Sequence, residues 1–138
     1  MSSDAAGVNL APRAIVAGHG DFAAGLISAV EQISGRGRML LPLAVKTLGV
    51  EDIEALLRKE MLAAGVHVIF TDLAAGSCTM ASRRILRGTE DAVLVAGVNL
   101  PILLDFVFAD SMSPVVAARH AAERGKASIT ALGGGAPK

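Results

Sequence analysis

Hydrophobic positions along the chain follow two different spacings. Short apolar runs rich in branched residues, which are typical of buried strands, lie at 14–17, 39–45, 66–71 and 92–96. Apolar residues recur every three or four positions, as on one face of a helix, at 22–33, 50–64, 77–86, 100–108 and 114–123. This alternation predicts an α/β protein with a doubly wound, mainly parallel sheet. A short additional strand is predicted at 127–132.

Glycine and proline mark the limits of these segments. Asp21 stands where the first helix needs an N-cap, and Gly35 where that helix needs a C-cap. Pro42 interrupts the second strand, which favours a position close to a sheet edge. The length of 138 residues suits one domain. We therefore predict a flexible tail at 1–12, a single domain at 13–133 and a second flexible tail at 134–138.

Polar residues follow two of the predicted strands. His19 comes directly after the first strand, and Asp72 comes directly after the third. If the strand order is 2-1-3-4, these strands are neighbours and flank the point where the order reverses. Ligands of open parallel sheets bind beyond the carboxyl ends of the strands at that point. His19 and Asp72 are then expected to face each other.

These residue types suit phosphoryl transfer without a metal. Asp72 would accept a hydrogen bond from one ring nitrogen of His19 and leave the other nitrogen as a nucleophile. Ser77 would begin a helix, where its hydroxyl and the neighbouring amides favour bound phosphate oxygens. A histidine in a simple turn, with a structural aspartate elsewhere, is the alternative that the pattern leaves open.

Composition and charge argue against several classes of protein. The 13 basic and 13 acidic residues balance, and four Phe are the only aromatic residues, which argues against nucleic-acid binding. A single cysteine allows no intramolecular disulfide. The sequence has no apolar run of about 20 residues and no signal-peptide pattern, so we expect a soluble cytoplasmic protein.

Other readings of the same residues fit less well. The glycines at 18, 20 and 25 have the wrong spacing for a dinucleotide-binding loop, and no P-loop sequence is present. Ser77 does not lie in the sharp turn sequence of serine hydrolases. Cys78 is interpreted as a small packing residue rather than a reactive thiol. His67 and His120 do not form a convincing metal site with other ligand types, so no metal is predicted.

Four segments together resemble one protein family. Residues 15–20 (IVAGHG), 69–77 (IFTDLAAGS), 81–83 (ASR) and 95–101 (VAGVNLP) occur in the order and at the spacing of that family's motifs. They resemble the IIA components of the phosphoenolpyruvate:sugar phosphotransferase system (PTS), in the mannose/sorbose/N-acetylgalactosamine branch. The sequence departs from the family at Ala75, where the family has glycine, and at Cys78-Thr79, where it has Pro-Phe.

The resemblance implies a fold and a set of site residues. The implied sheet has the order 2-1-3-4, and an antiparallel C-terminal strand, matching 127–132, is exchanged between the subunits of a homodimer. His19 matches the histidine phosphorylated on Nε2, and Asp72 matches the aspartate that holds Nδ1. The phosphate-binding residues implied are Ser77, Gly20, Leu73 and Gly76.

The resemblance also implies a function and partners. The protein would be a phosphotransferase that accepts a phosphoryl group from phospho-HPr on His19 and passes it to a IIB component. It would need no cofactor, and it would meet the membrane only indirectly, through the IIC and IID components. The alternatives are a regulatory, phosphorylation-dependent binding module on the same fold, or the phosphoryl-donor subunit of a dihydroxyacetone kinase.

Overall fold

A computed structural model describes residues 9–46 and 48–135. Its strands are β1 (Ala14–His19), β2 (Leu40–Val45), β3 (Val68–Thr71) and β4 (Val93–Ala96). Its helices are α1 (Phe22–Ser34), α2 (Val50–Ala64), α3 (Ser77–Arg87), α4 (Leu100–Phe108) and α5 (Pro114–Ala127). A single 3-10 turn, Gly37–Met39, leads into β2. Most of the first predicted tail and the last three residues of the second lie outside the described residues.

The strands form one parallel sheet with the order β2-β1-β3-β4, which confirms the predicted topology. Ala17 pairs with both Leu43 and Thr71, so β1 lies between β2 and β3. β2 is an edge strand, in agreement with the interpretation of Pro42, because a proline has no N–H to donate to a second neighbour.

Alternate strand residues enter two separate cores, one on each face of the sheet. Val16 and Phe70 belong to the core that α1, α4 and α5 cover. Ile15 and Ile69 belong to the core that α2 and α3 cover. Because both faces are buried, the strands read as continuous apolar runs instead of alternating ones. The prediction of a doubly wound α/β fold is therefore confirmed.

Most differences from the predicted elements lie at their ends. β3 begins at Val68 and not at Val66, because the amide of Val66 still donates to the carbonyl of Met61 (3.1 Å) at the end of α2. His67 therefore precedes β3 and is exposed. Gly35 ends α1 in the left-handed conformation, as predicted, with φ 72°. Asp21 precedes α1, but its side chain makes no capping hydrogen bond.

The C-terminal segment, 127–132, differs from its predicted structure more than the other elements do. Ala127 is the last residue of α5, so its assignment to a strand is wrong, and residues 128–132 form no strand within the single chain. The Ser128 hydroxyl donates to the carbonyl of Gly125 (2.7 Å) and closes the helix. Ile129 is 72% exposed and Leu132 is 93% exposed. Exchange of this segment with a second chain stays a prediction.

No helix in the described ranges is both long and apolar enough to cross a membrane.

The packing of α5 against α4 depends on a glycine. A Cβ added at Gly125 would lie 2.0 Å from Cγ1 of Ile102, a side chain that is only 5% exposed. Gly125 can therefore stand inside a helix because its missing side chain allows the two helices to approach closely.

We expect Gly125→Ala to lower the free energy of unfolding by about 1–3 kcal/mol, because it overpacks this contact. Gly25→Ala is the matched control, since Gly25 lies in α1 with open space around it. That control should raise the free energy of unfolding by about 0.5–1 kcal/mol through helix propensity alone. Urea denaturation measures both values, and a Gly125→Ala protein as stable as the wild type would contradict this account of the packing.

Candidate active site

The structure brings His19 and Asp72 together at the carboxyl ends of neighbouring strands. His19 is the last residue of β1, and Asp72 directly follows β3. Nδ1 of His19 lies 2.8 Å from Oδ2 of Asp72, and the backbone amide of His19 donates to the same oxygen at 2.9 Å. Because a carboxylate only accepts, the proton of this bond lies on Nδ1. The remaining ring nitrogen, Nε2, then carries the free lone pair.

The two side chains differ sharply in exposure. The His19 side chain is 55% exposed, whereas that of Asp72 is 9% exposed. Among the residues that the structure describes, none forms a hydrogen bond to Nε2 of His19. The nucleophilic nitrogen is thus open to another molecule, while the carboxylate that orients the ring is covered.

The charge of Asp72 is maintained by His19. Burial is the largest influence and raises the pKa of Asp72, but the backbone and side-chain hydrogen bonds from His19 outweigh it, and the pKa lies below its usual range. Gly18 makes room for this contact, because a Cβ there would lie 3.1 Å from Cγ of Asp72. Oδ1 of Asp72 is buried, and no described residue donates to it.

The N-terminus of α3 lies beside the histidine ring. Gly76 precedes this helix, and a Cβ at Gly76 would lie 3.5 Å from Cε1 of His19. Ser77 is the first helical residue and is half-buried. The unpaired amides of a helix N-terminus favour an anion. The structure therefore offers a place for phosphate oxygens next to His19.

The other two predicted phosphate-binding residues lie in the connecting loops. Gly20 follows β1 with φ 53°, a left-handed conformation that turns the chain towards α1. Leu73 follows Asp72, its side chain is 56% exposed, and its Cβ would lie 3.5 Å from a Cβ at Gly76. Leu73 thus offers an apolar side chain and a backbone amide close to the helix N-terminus.

Sequence reasoning missed a pair of buried threonines under this loop. The hydroxyls of Thr71 and Thr79 are 2.6 Å apart, and that of Thr79 also donates to the carbonyl of Leu73. Thr71 is fully buried and Thr79 is 3% exposed. The signal available in the sequence was the presence of hydroxyl residues on both sides of the loop at otherwise apolar positions.

Cys78 is a packing residue. It is buried in the core beneath α2 and α3. Burial, and then the negative charge of Asp72, raise the pKa of its thiol to about 11. Because the thiolate is the nucleophilic form, this cysteine is unreactive at neutral pH.

Three cavities of the described residues lie away from His19. The largest cavity described, about 1030 Å³, lies between α1 and β2 and is lined by residues such as Ile27 and Leu41. Two smaller ones, of about 320 and 330 Å³, are likewise lined by other residues than His19. Within 9–46 and 48–135, no group of three His, Cys, Asp or Glu residues could hold a metal ion.

Comparison with known families identifies the family of the chain. The sequence model of the family described as "PTS system fructose IIA component" matches residues 13–123. The chain therefore belongs to this family of PTS IIA components. Membership implies a phosphotransferase role in PTS sugar transport.

Solved structures show the same fold. The mannose/sorbose-specific IIA subunit from Enterococcus faecalis is 18% identical, with 92% of this chain and 98% of that chain covered and a TM-score of 0.75. The PTS component EIIA from Streptococcus agalactiae is 21% identical, with 82% and 93% covered and a TM-score of 0.68. A sigma-54 interaction domain protein from Enterococcus faecalis is 14% identical, with 85% and 91% covered and a TM-score of 0.69. A search of curated proteins found no significant match.

The lowered pKa of Asp72 predicts a pH-dependent contribution to stability. A carboxyl whose pKa is lower in the folded chain stabilises it fully above the unfolded value of about 3.9 and loses this contribution as pH falls through the folded value. Asp72→Asn keeps the size of the side chain but cannot ionise. We therefore expect wild type to be more stable than Asp72→Asn at about pH 7, with a difference that shrinks as the pH falls below about 4.

Urea denaturation of both proteins at about pH 7, 5 and 3 measures this difference. A difference that stays constant over this range would mean that the negative charge of Asp72 contributes nothing to folding.

Proposed function

We propose that the protein is a phosphocarrier of the PTS that accepts a phosphoryl group from phospho-HPr on Nε2 of His19 and passes it to a histidine of a IIB component. The observation that carries this proposal is the 2.8 Å bond between Nδ1 of His19 and Oδ2 of Asp72. It fixes the tautomer in which the exposed Nε2 is the nucleophile.

The transfer step needs no cofactor. The lone pair of Nε2 of His19 attacks the phosphorus atom of the donor phosphohistidine, and the P–N bond of the donor breaks with its electron pair returning to the donor imidazole. Positive charge develops on the ring of His19, and the carboxylate of Asp72 stabilises it through Nδ1–H. Discharge to IIB is the same step with the roles of donor and acceptor exchanged.

The phosphoryl oxygens would be held at the start of α3. Ser77 would donate its hydroxyl, and Leu73, Gly76 and Gly20 would supply backbone groups around the anion. This assignment is supported by the 3.5 Å separation between a Cβ at Gly76 and Cε1 of His19. Ala75, which replaces a family glycine, lies in the same exposed loop.

The partners would be proteins and not small molecules. His19 is more than half exposed, and the three cavities described above are lined by other residues. The exposed side chain of Leu73 beside the site suits an apolar contact with a partner surface. The same assignment implies a cytoplasmic location and contact with the membrane only through the IIC and IID components.

We further propose that two copies form a homodimer by exchanging residues 128–132. β4 is an edge strand, with Leu94 and Val95 only half-buried, so one side of its backbone is free to pair. Ile129 and Leu132 are apolar and largely exposed in the single chain. Antiparallel pairing of the segment of one chain with β4 of the other would cover both.

A regulatory module on the same fold is the second candidate. The sigma-54 interaction domain protein from Enterococcus faecalis shares this fold at a TM-score of 0.69, so the fold also occurs in a protein named for a different interaction. Such a module would also carry phosphate on His19, but it would bind another protein instead of discharging to IIB.

The first test is phosphorylation in solution. We expect incubation with phosphoenolpyruvate, Enzyme I and HPr to add one acid-labile phosphoryl group to the wild type, seen by intact mass spectrometry. His19→Gln should remain unmodified, because Nε2 is lost as a nucleophile. His120→Gln, a change at an exposed histidine of α5, is the matched control and should be modified as fully as the wild type.

An unmodified wild type, or modification that persists in His19→Gln, would contradict the proposal. Addition of IIB to the phosphorylated protein separates the two candidates, since a carrier loses the phosphoryl group and a regulatory module retains it.

The second test is the oligomeric state. We expect the wild type to sediment as a dimer, and a double variant, Ile129→Asp with Leu132→Asp, to sediment as a monomer because charge at both positions opposes their burial. Leu62→Asp, at an 86% exposed position of α2, is the control and should remain dimeric. A monomeric wild type, or a dimeric double variant, would contradict the proposed exchange.

A further inference from the structure

The loop that carries Asp72 is held by hydroxyl groups on its buried side. Thr71 and Leu73 are the residues immediately before and after Asp72 in the chain. The hydroxyl of Thr79, in the first turn of α3, contacts both the Thr71 hydroxyl and the Leu73 carbonyl. A single side chain therefore connects the residues on either side of the carboxylate that orients His19.

The directions of these hydrogen bonds follow from the number of protons. The Leu73 carbonyl can only accept, so Thr79 must use its one O–H to donate to it. The Thr71 hydroxyl then donates to Oγ1 of Thr79, across 2.6 Å. The result is one continuous chain, from Thr71 through Thr79 to Leu73, in which both hydroxyls are satisfied without water.

Thr71, where this chain of hydroxyl groups begins, is attached to the sheet. The carbonyl of Thr71 accepts from the amides of Gly97 and Val98, each at 2.9 Å, where β4 turns towards α4. Thr79 is fixed in turn by its place in α3, between Cys78 and Ala81 of the core. The hydroxyl chain thus joins the loop to two rigid elements.

Asp72 itself has few other contacts that could set its direction. Both hydrogen bonds recorded for its side chain come from His19 and end on Oδ2, and no described residue donates to Oδ1. The backbone amide of His19, which is held in β1, fixes the position of Oδ2. The other constraint on the direction of the carboxylate is the backbone at 71–73, from which the side chain of Asp72 extends.

We infer that Thr79 is a positioning residue: together with Thr71 it holds the backbone on both sides of Asp72, and so keeps Nδ1–H of His19 bonded and Nε2 free. This inference rests on the proposed phosphotransfer at His19. Thr79 makes no hydrogen bond to His19, so it acts through the backbone that it holds, which is that of Asp72 and of Leu73.

The experiment compares Thr79→Val with Thr79→Ser. Valine keeps the branched shape and volume but removes the hydroxyl, whereas serine keeps the hydroxyl. Ser82→Ala is the matched control, because Ser82 is also buried in α3 and donates to a carbonyl, that of Cys78 at 2.7 Å, away from the loop. Each protein is measured by 15N NMR of the imidazole nitrogens and by the kinetics of phosphoryl uptake from phospho-HPr.

For Thr79→Val we expect a mixture of the two neutral tautomers of His19, where the wild type has Nδ1–H. We expect kcat for phosphoryl uptake to fall about tenfold while KM for phospho-HPr changes less than about twofold, because orientation and not docking is lost. Thr79→Ser should restore both values. Ser82→Ala should match the wild type in tautomer and kcat, whatever it does to stability.

An unchanged tautomer and kcat in Thr79→Val, or the same losses in Ser82→Ala, would overturn the inference. If Thr79→Val does not fold, Thr71→Val removes the first bond of the chain, and the same change of tautomer is expected from it. Because the tautomer is read without phosphate, a wild type that has the Nδ1–H tautomer but takes up no phosphoryl group would overturn the proposed function and not the positioning.

Discussion

Parallel pairing of β1 with β3 is the constraint on which the rest of the site depends. It places Ala17 opposite Thr71, so both strands end at the same edge of the sheet. His19 and Asp72 then lie within 2.8 Å although 53 positions separate them in the sequence. This pairing leaves β2 and β4 as the outer strands, and the α1 and α3 N-termini follow the two central ones. Histidine, aspartate and a helix end are thus brought together by topology alone.

His19 and Asp72 have complementary roles because Asp72 is covered whereas His19 is exposed. A covered carboxylate bonded twice by His19 stays charged, and a ring held by that charge keeps its proton on Nδ1. Nε2 of His19 is then free as a nucleophile, and no further residue is needed to fix the tautomer. Buried polar groups of this kind hold well only when the backbone around them is fixed. The threonines under the loop hold the backbone on both sides of Asp72 in this way.

Periodicity allowed the elements to be predicted, and the positions of His19 and Asp72 at strand ends allowed their meeting to be predicted once the strand order was given. The order 2-1-3-4 itself was implied by the resemblance to the PTS IIA components. The exact first and last residues of the elements were harder to predict. Val66 looked like part of a strand, but its amide completes the end of α2. A strand was predicted from position 127, yet α5 continues to Ala127, since Gly125 packs on Ile102 instead of ending the helix. Local propensity does not include such tertiary contacts.

The hydrogen bond between Thr71 and Thr79 was not predicted for the same reason, because it is a tertiary contact. Thr71 and Thr79 are eight positions apart, and neither a strand period nor a helix period joins them. Their contact depends on the path of the loop, which only the three-dimensional structure gives. The proposed exchange of residues 128–132 depends on a second copy of the chain, which the pattern of a single sequence does not describe.

The central claim is that Nε2 of His19 carries the phosphoryl group while Asp72 retains Nδ1. NMR of the 15N-labelled, phosphorylated protein tests it most directly, through the coupling between phosphorus and the ring nitrogens. We expect 31P to couple to Nε2 of His19, with Nδ1 still protonated and hydrogen-bonded. Coupling to Nδ1, or a phosphoryl group on another residue, would contradict the account.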